Sequence, residues 1–408
     1  MKRVVITGMG CVSPAGDNYK SFSDNLKVKK SFIKRIERFD VSNFPVQIAG
    51  EITDFSYEGY IDKKIGRRMD RFIQYGIVAS KKAVEDAGLE MDKEDPYRVG
   101  IILSSGIGGL DALTKTVRAV DKNPRKVSPF SIPMILPNMA AGFTAIELGI
   151  KGPSWAVISA CATGNHTIIS AYDQIVEGKA DVMLAGGSEA AITEVGIGGF
   201  AAMKALSSRN DAPDKASRPF DNDRDGFVMG EGGAVVILEE YERAKKRGAR
   251  IYGEIKGYGM ATDAYHMAAP DPEGRGAKKA ITDAIKMSGL ALSDIKYANA
   301  HGTSTPAGDK VEFRTIESIF ENESKIYLNS TKSIVGHLLG AAGNIEMIAC
   351  LIQMNEGFIH PNVNLENTDL VSDWVILPKE VENIKFDNFI TNSFGFGGHD
   401  ASLIVGRV

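Results

Sequence analysis

The sequence predicts an α/β protein built from layers of sheet and helix around more than one core. Three observations predict it. Short β-branched runs alternate along the whole chain with one-face helical spacings. The chain has 408 residues, too many for one hydrophobic core at about 100–200 residues per domain. Its residues are 43% hydrophobic and 25% charged with a net charge of -4, a globular composition and not a disordered one. Glycine is in excess, with 43 residues or about one in ten, against a usual share of about 7%.

Taken in order, Val4–Thr7, Val99–Leu103, Ala156–Ser159, Val182–Ala185 and Ala234–Leu238 read as strands of a first half. The basic, glycine-bearing stretch Lys245–Arg250 separates them from Ile251–Ile255, Tyr297–Ala300, Ile326–Leu328, Val375–Leu377 and Ala401–Val405. The predicted boundary lies near residue 250, giving halves 1–250 and 251–408. Apolar residues at Ile168, Ala171, Tyr172 and Ile175 predict a helix that Gly178 ends. Ile345, Ile348, Ala349 and Ile352 predict a second, closed by Gly357.

Bulk properties exclude several classes of function. With 48 basic and 52 acidic residues the chain has no nucleic-acid footprint. No apolar run is long enough for a membrane helix. The N-terminus runs from Met1 straight into a strand without a signal peptide, which predicts a cytoplasmic protein with free thiols. Three scattered cysteines, Cys11, Cys161 and Cys350, suit neither a disulfide scaffold nor a zinc site. Gly8-Met9-Gly10 follows a strand but lacks the third glycine of a dinucleotide loop, and Pro14 interrupts the helix such a loop needs.

Cys161 sits where a predicted strand gives way to a helix, among small residues. Such a turn exposes the thiol at the sheet's carboxyl edge and sets it at a helix N-terminus, which favours thiolate and offers backbone N–H groups to an oxyanion. The rival reading, an inert buried cysteine, suits Cys11 and Cys350. His301 and His337 lie in loops of small residues that let backbone approach a ligand. His166, His266 and His360 read as ordinary satisfied histidines. In Asn392–Asp400, Phe394 and Phe396 stand between glycines. This reads equally as a gate over an apolar ligand or as a tight turn with packed aromatics.

Together these segments, with Ser105–Gly109, Ser217–Asp221 and Arg224–Phe227, resemble the elongating β-ketoacyl-acyl-carrier-protein synthases, most closely the synthase II type, over essentially the whole chain. The resemblance implies a thiolase-like fold: two similar halves with mixed sheets in a five-layered α-β-α-β-α arrangement, usually a homodimer. It implies that Cys161 accepts the acyl group, that His301 and His337 are the paired histidines and that Lys332 supports them. Phe396 is the expected gate, its N–H the second oxyanion donor beside that of Cys161. Thr303 and Thr305 are expected to position malonyl and pantetheine, Ile107, Phe200 and Phe394 to border the substrate, and Glu346 to stand behind the site. The expected reaction is decarboxylative condensation in fatty-acid elongation, without metal or other cofactor.

The implied partner is an acidic acyl carrier protein bearing acyl and malonyl groups. Its expected dock is Lys63, Lys64, Arg67, Arg68 and Arg71, extended by Arg125, Lys126, Lys204 and Arg209; the rival reading is a solvated helix face. His399-Asp400 departs from the Thr-Asn most often expected there, aspartate being the odder residue. A thiolase needs a second cysteine that 392–400 lacks. The initiating synthases need an asparagine where His337 stands. A chain-length factor lacks the nucleophile, and a modular polyketide ketosynthase carries fused domains, which the end at Val408 argues against.

Overall fold

The computed structural model describes residues 2–408. Eleven strands form one sheet: β1 (Val4–Val12), β2 (Val99–Ser104), β3 (Ser154–Trp155), β4 (Val182–Glu189), β5 (Gly232–Glu240), β6 (Gly253–Thr262), β7 (Tyr297–Asn299), β8 (Ile326–Asn329), β9 (Val375–Ile376), β10 (Asn388–Gly395) and β11 (His399–Gly406). Their order is β9-β8-β7-β10-β11-β6-β1-β5-β4-β2-β3. β2 runs parallel to both its neighbours, whereas β4–β5 and β5–β1 are antiparallel. β7–β10 and β8–β9 are parallel, and β10–β11 and β11–β6 antiparallel. The two strand sets meet only through Val5–Glu254 and Ile6–Gly253.

The layers around the sheet are built from α1 (Arg71–Asp86), α2 (Met139–Leu148), α3 (Thr163–Val176), α4 (Arg275–Ser288), α5 (Pro306–Phe320) and α6 (Ala342–Glu356). α3 and α6 form the middle layer, where Ile168, Ile175, Ile345 and Ile352 share one core with β1, β5 and β11. That position explains why α6 is buried along nearly its whole length: a helix between two sheet faces has no solvent side. α1 and α2 cover the outer face of the first strand set, and α4 and α5 that of the second. The result is a mixed α/β, five-layered thiolase-like fold.

β1 is buried on both faces, as its unbroken apolar run requires. Its Gly8 and Gly10 face α1, where a Cβ would come within 2.5 Å of Ala83 O and 2.3 Å of Ala79 O. The glycine pair therefore serves helix–strand packing. Two expectations are corrected. Ala156–Ser159 is not a strand; pairing stops at Trp155 because the chain leaves the sheet edge, where Ser104 Oγ takes the N–H of Val157 and Thr163 Oγ1 that of Ser159. Residues 392–400 are not a loop but the end of a hairpin, with Gly395 opposite His399 and only Phe396–Gly398 in the turn. Polar Asn392 hides this strand in the sequence; here its Oδ1 accepts from Ser402 Oγ across the ladder.

Candidate active site

The middle layer brings the chemistry together. α3 and α6 cross at their N-termini, where a Cβ on Gly164 would stand 2.8 Å from Gly343 Cα, Gly343 N and Asn344 N. Cys161 lies in the turn before α3 and His337 in the segment before α6. The close crossing sets the two segments side by side. His301 arrives just past the end of β7, and one ligand atom each from Cys161, His301 and His337 lie within 4.8 Å of one another. Among the described residues this is the one histidine, cysteine or acid group close enough to grip a metal.

The three are held by backbone anchors. The His301 and Gly302 N–H groups each donate to Glu312 at 2.8 Å, and the His301 carbonyl accepts from Lys332 Nζ at 2.6 Å. His337 N donates to Val228 O at 2.8 Å, and Leu339 N donates to His337 Nδ1 at 3.3 Å. An accepting Nδ1 puts the imidazole proton on Nε2, an atom with no partner in the protein. The rings cross at 83° with centroids 5.4 Å apart. Burial, and secondly the charge of Lys332, hold both histidines well below their ordinary pKa, with His337 a third cause for His301. Both rings are neutral at pH 7.

Backbone strain concentrates here. Ala160, Ser304 and Leu339 have positive φ of 49°, 71° and 49°. The first two adjoin Cys161 and Thr303 with Thr305, and Leu339 lies two residues after His337, a pattern of strain stored at a functional site. Cys161 departs from expectation in one respect. Burial pushes its thiol up to about 11; Lys332, then the N–H groups of Phe396 and Cys161 itself, only partly offset this. The free protein therefore holds a thiol, and the helix N-terminus does not decide the matter. Gly395 packs directly against the backbone of Ser159, Cys161 and Ala162, which brings the neighbouring Phe396 to the Cys161 turn.

A cleft of about 440 Å³ opens above the trio. Phe200, Phe227, Phe394 and Phe396 line it together with Thr303 and Thr305, whose hydroxyls are 3.1 Å apart. Phe200 stands 6.3 Å from Phe396, centroid to centroid. Lys332 and Glu346, each 1% exposed, form an ion pair behind the histidines; burial raises Glu346 and Lys332 pulls it back. Ile107 does not line the cleft; it packs in the same apolar cluster as Phe200. His266, read as ordinary, stands on the cleft rim. His166 pairs with Ser159 Oγ at 2.6 Å, and His360 is fully buried between Thr331 and Pro361 O.

Three buried acids escaped sequence reading. Glu312 anchors the His301 loop. Asp309 accepts from the N–H groups of Ser304, Thr305 and Phe220. Glu189 joins Ser105 and Gly106 to Gly340. The available signal was an acid ending the apolar run of β4. Away from the cleft floor, Lys63, Lys64, Arg67, Arg68, Arg125 and Lys126 are exposed. The Arg68 guanidinium lies 4.8 Å over the ring of Phe130, drawing the 124–130 segment against 63–71. Arg71 is half-buried, Lys204 is exposed at the cleft mouth, and Arg209 is partly buried and donates to Asp223 O.

A thiol and two neutral imidazoles on the floor of an apolar cleft, in a five-layered fold, suit carbon–carbon bond formation through thioesters. The chain belongs to the β-ketoacyl synthase family: the family's N-terminal domain matches residues 1–244 and its C-terminal domain residues 252–366. It is 46% identical over 409 residues to the 3-oxoacyl-[acyl-carrier-protein] synthase 2 of Coxiella burnetii, covering 100% of this chain and 99% of that one. It is also 46% identical to the Synechocystis protein of the same name, covering 98% and 97%. A β-ketoacyl synthase crystal structure from Burkholderia phymatum superposes with a TM-score of 0.92 at 33% identity, covering 100% of both chains. A type II polyketide ketosynthase, described in complex with its acyl-carrier protein, superposes with a TM-score of 0.92 at 30% identity, covering 100% of this chain and 99% of that one.

Proposed function

We propose that this chain is the elongating condensing enzyme of fatty-acid synthesis, joining an acyl group carried on Cys161 to malonyl-acyl-carrier-protein and giving a 3-oxoacyl-carrier two carbons longer. The observation that carries the mechanism is the juxtaposition of Cys161, His301 and His337 within 4.8 Å. The names of the full-length relatives supply the substrate class.

Cys161 sulfur attacks the acyl thioester. The oxyanion is held by the N–H groups of Cys161 and Phe396, and the carrier departs as a thiol with the proton Cys161 gives up. Malonyl-carrier then enters past Thr303 and Thr305. Its carboxylate leaves as carbon dioxide while the imidazoles hydrogen-bond the thioester oxygen, His337 through the proton fixed on Nε2, and stabilise the enolate. The enolate carbon attacks the acyl–Cys161 carbonyl, the carbon–sulfur bond breaks, and the released thiolate regains a proton from water. Neutral imidazoles suit this chemistry, because an imidazolium would hand its proton to the enolate, whereas a neutral ring donates a hydrogen bond and keeps its proton. Lys332 acts through the His301 carbonyl and its charge, and Glu346 balances that charge. Phe394 and Phe200 border the acyl chain, Ile107 backs that wall, and Phe396 gates it.

The chain divides near residue 250, a reading supported by the narrow β1–β6 join and by the gap between the two family matches. The carrier docks on Lys63, Lys64, Arg67, Arg68, Arg125 and Lys126, with Lys204 at the cleft mouth. Support comes from their exposure and from the charge of a phosphopantetheine-bearing acidic partner. A homodimer forms through the free edge of β3, where Trp155, Ile158 and Ile146 are 37%, 53% and 75% exposed, more apolar surface than a sheet edge usually leaves bare. No described helix is long and apolar enough to cross a membrane; the cytoplasmic setting rests on the proposed reaction and its carrier partner. Cys161→Ala is expected to abolish condensation of acyl- with malonyl-carrier; normal product formation by that variant overturns the assignment.

A further inference from the structure

The residue where the sequence departs from pattern, Asp400, occupies a site with no ordinary explanation. Its side chain is 2% exposed, and its Oδ2 has no hydrogen-bond partner among the groups around it. That oxygen faces another carboxyl. A Cβ placed on Gly276 would stand 2.2 Å from Asp400 Oδ2 and 2.4 Å from Asp263 Oδ1, so the two oxygens lie less than about 5 Å apart. Asp263 uses its other oxygen to accept from Asp271 N at 3.0 Å, leaving Oδ1 free for Asp400.

The surroundings do not neutralise the pair. Asp271, Glu312 on α5 and Asp263 at the end of β6 all press negative charge on Asp400. The nearby cation, Arg275 on α4, is taken by Asp271 at 2.6 Å. His399 is on the same strand and turns its ring to Gly397. A buried carboxylate this close to a half-buried one cannot ionise cheaply; one proton between them turns repulsion into a hydrogen bond.

We propose that Asp400 is a positioning residue that carries a proton and donates it to Asp263, latching the Phe396 turn to the 263–271 segment. The latch reinforces two backbone bonds between the same segments, Asp263 N to Gly398 O and Gly397 N to Met267 O, both 2.9 Å. Because the turn carries the N–H of Phe396, the latch sets how firmly that donor is aimed at Cys161. The inference rests on the condensing reading for its kinetic test. Burial first, and the neighbouring acids next, push Asp400 up to about 8. Below that pH the latch is closed. Above it, two negative charges strain the turn, and Glu312 carries the disturbance to the His301 loop.

The test compares the full chain with Asp400→Asn, which keeps the shape and a hydrogen-bond donor but cannot ionise. Acyl transfer from octanoyl-carrier to Cys161 is followed as kcat/KM from pH 6.5 to 9.5. The wild-type to variant ratio is expected to fall about twofold by pH 8 and about tenfold by pH 9. Parallel profiles overturn the latch. An infrared titration gives a second, activity-independent reading: a protonated-carboxyl C=O band lost as pH rises through 8 in the wild type, above the about 7 of Glu346, Glu189 and Glu312, and missing in the variant. Absence of the band in the wild type overturns the latch as well. If neither protein transfers acyl groups, the condensing reading fails and the band alone decides on Asp400. If Asp400→Asn does not fold, the wild-type band titration decides, with Asp263→Asn as the second variant; there the band is expected to be lost at lower pH than in the wild type, because one of the charges that raise Asp400 is gone, and an unmoved midpoint overturns the pairing.

Discussion

Gly164→Ala tests how the active site is assembled. The added methyl would stand 2.8 Å from three backbone atoms at the start of α6, Gly343 Cα, Gly343 N and Asn344 N. Carbon contacts settle at about 3.5–4.0 Å, so the two N-termini must part by about 1 Å. Overpacking of this kind costs about 1–3 kcal/mol, and replacing a helical glycine returns about 1 kcal/mol. The expected net loss of stability is thus at most about 2 kcal/mol, a few degrees in Tm. Activity is expected to fall far more, because Cys161 precedes α3 and His337 precedes α6; a misplacement of about 1 Å costs about 100-fold. Thermal unfolding and kcat/KM for condensation are measured on the same preparation. Gly142→Ala in α2 is the control, since its Cβ would have only the Met139 side chain near, at 3.8 Å; it should be neutral to slightly stabilising and fully active. A Gly164→Ala enzyme within about threefold of wild-type kcat/KM would refute the idea that the helix crossing positions the trio.

Lys332→Met should leave Glu346 buried without its partner, at a cost of about 3–5 kcal/mol. Burial already raises Glu346 to about 7, and a raised acid regains stability as pH falls through its folded pKa. The Tm deficit should therefore be smaller at pH 6 than at pH 8.5; a deficit independent of pH rejects this account. Reversing Lys63, Arg67 and Arg68 to Glu should raise KM for acyl-carrier about tenfold or more and change kcat less than threefold, with salt narrowing the gap; an unchanged KM excludes the dock. Ile158→Arg should yield monomers by sedimentation, and a wild type already monomeric at micromolar concentration excludes the β3-edge dimer.

Why some elements were legible and others not follows from what each packs against. α3 and α6 announce themselves because a helix wedged between sheets repeats apolar residues at helical spacing and must end on a left-handed residue; Gly178 and Gly357 have φ of 73° and 75°. β10 was hidden because its Asn392 and Ser393 are polar yet fully buried. Cross-strand and active-site partners make that tolerable, and a pattern of hydrophobicity does not record partners. Ala156–Ser159 misled in the opposite way: its composition suits a strand, but side-chain hydroxyls of Ser104 and Thr163 capture the N–H groups a ladder would need.

The site followed the same logic one level up. Residue types and their small neighbours pointed to Cys161, His301 and His337, because a thioester demands close backbone approach. What the sequence could not carry is the dielectric. A helix N-terminus argues for a thiolate, yet Cys161 is 9% exposed and burial outweighs that end effect, worth about 0.3–1 kcal/mol at exposed sites and up to about 2 kcal/mol when partly buried. Likewise, the sequence displays Lys332 as a cation beside the histidines, whereas burial is the larger cause of their neutrality. The two shifts have one origin and one consequence. The same dry pocket that holds the imidazoles neutral for the enolate also holds the sulfur protonated at rest, so thiolate formation must be coupled to arrival of the acyl thioester. The rate of acyl transfer should then rise with pH from neutrality to about 8, where the ionisation of Asp400 levels it, whereas in Asp400→Asn it should go on rising toward about 11.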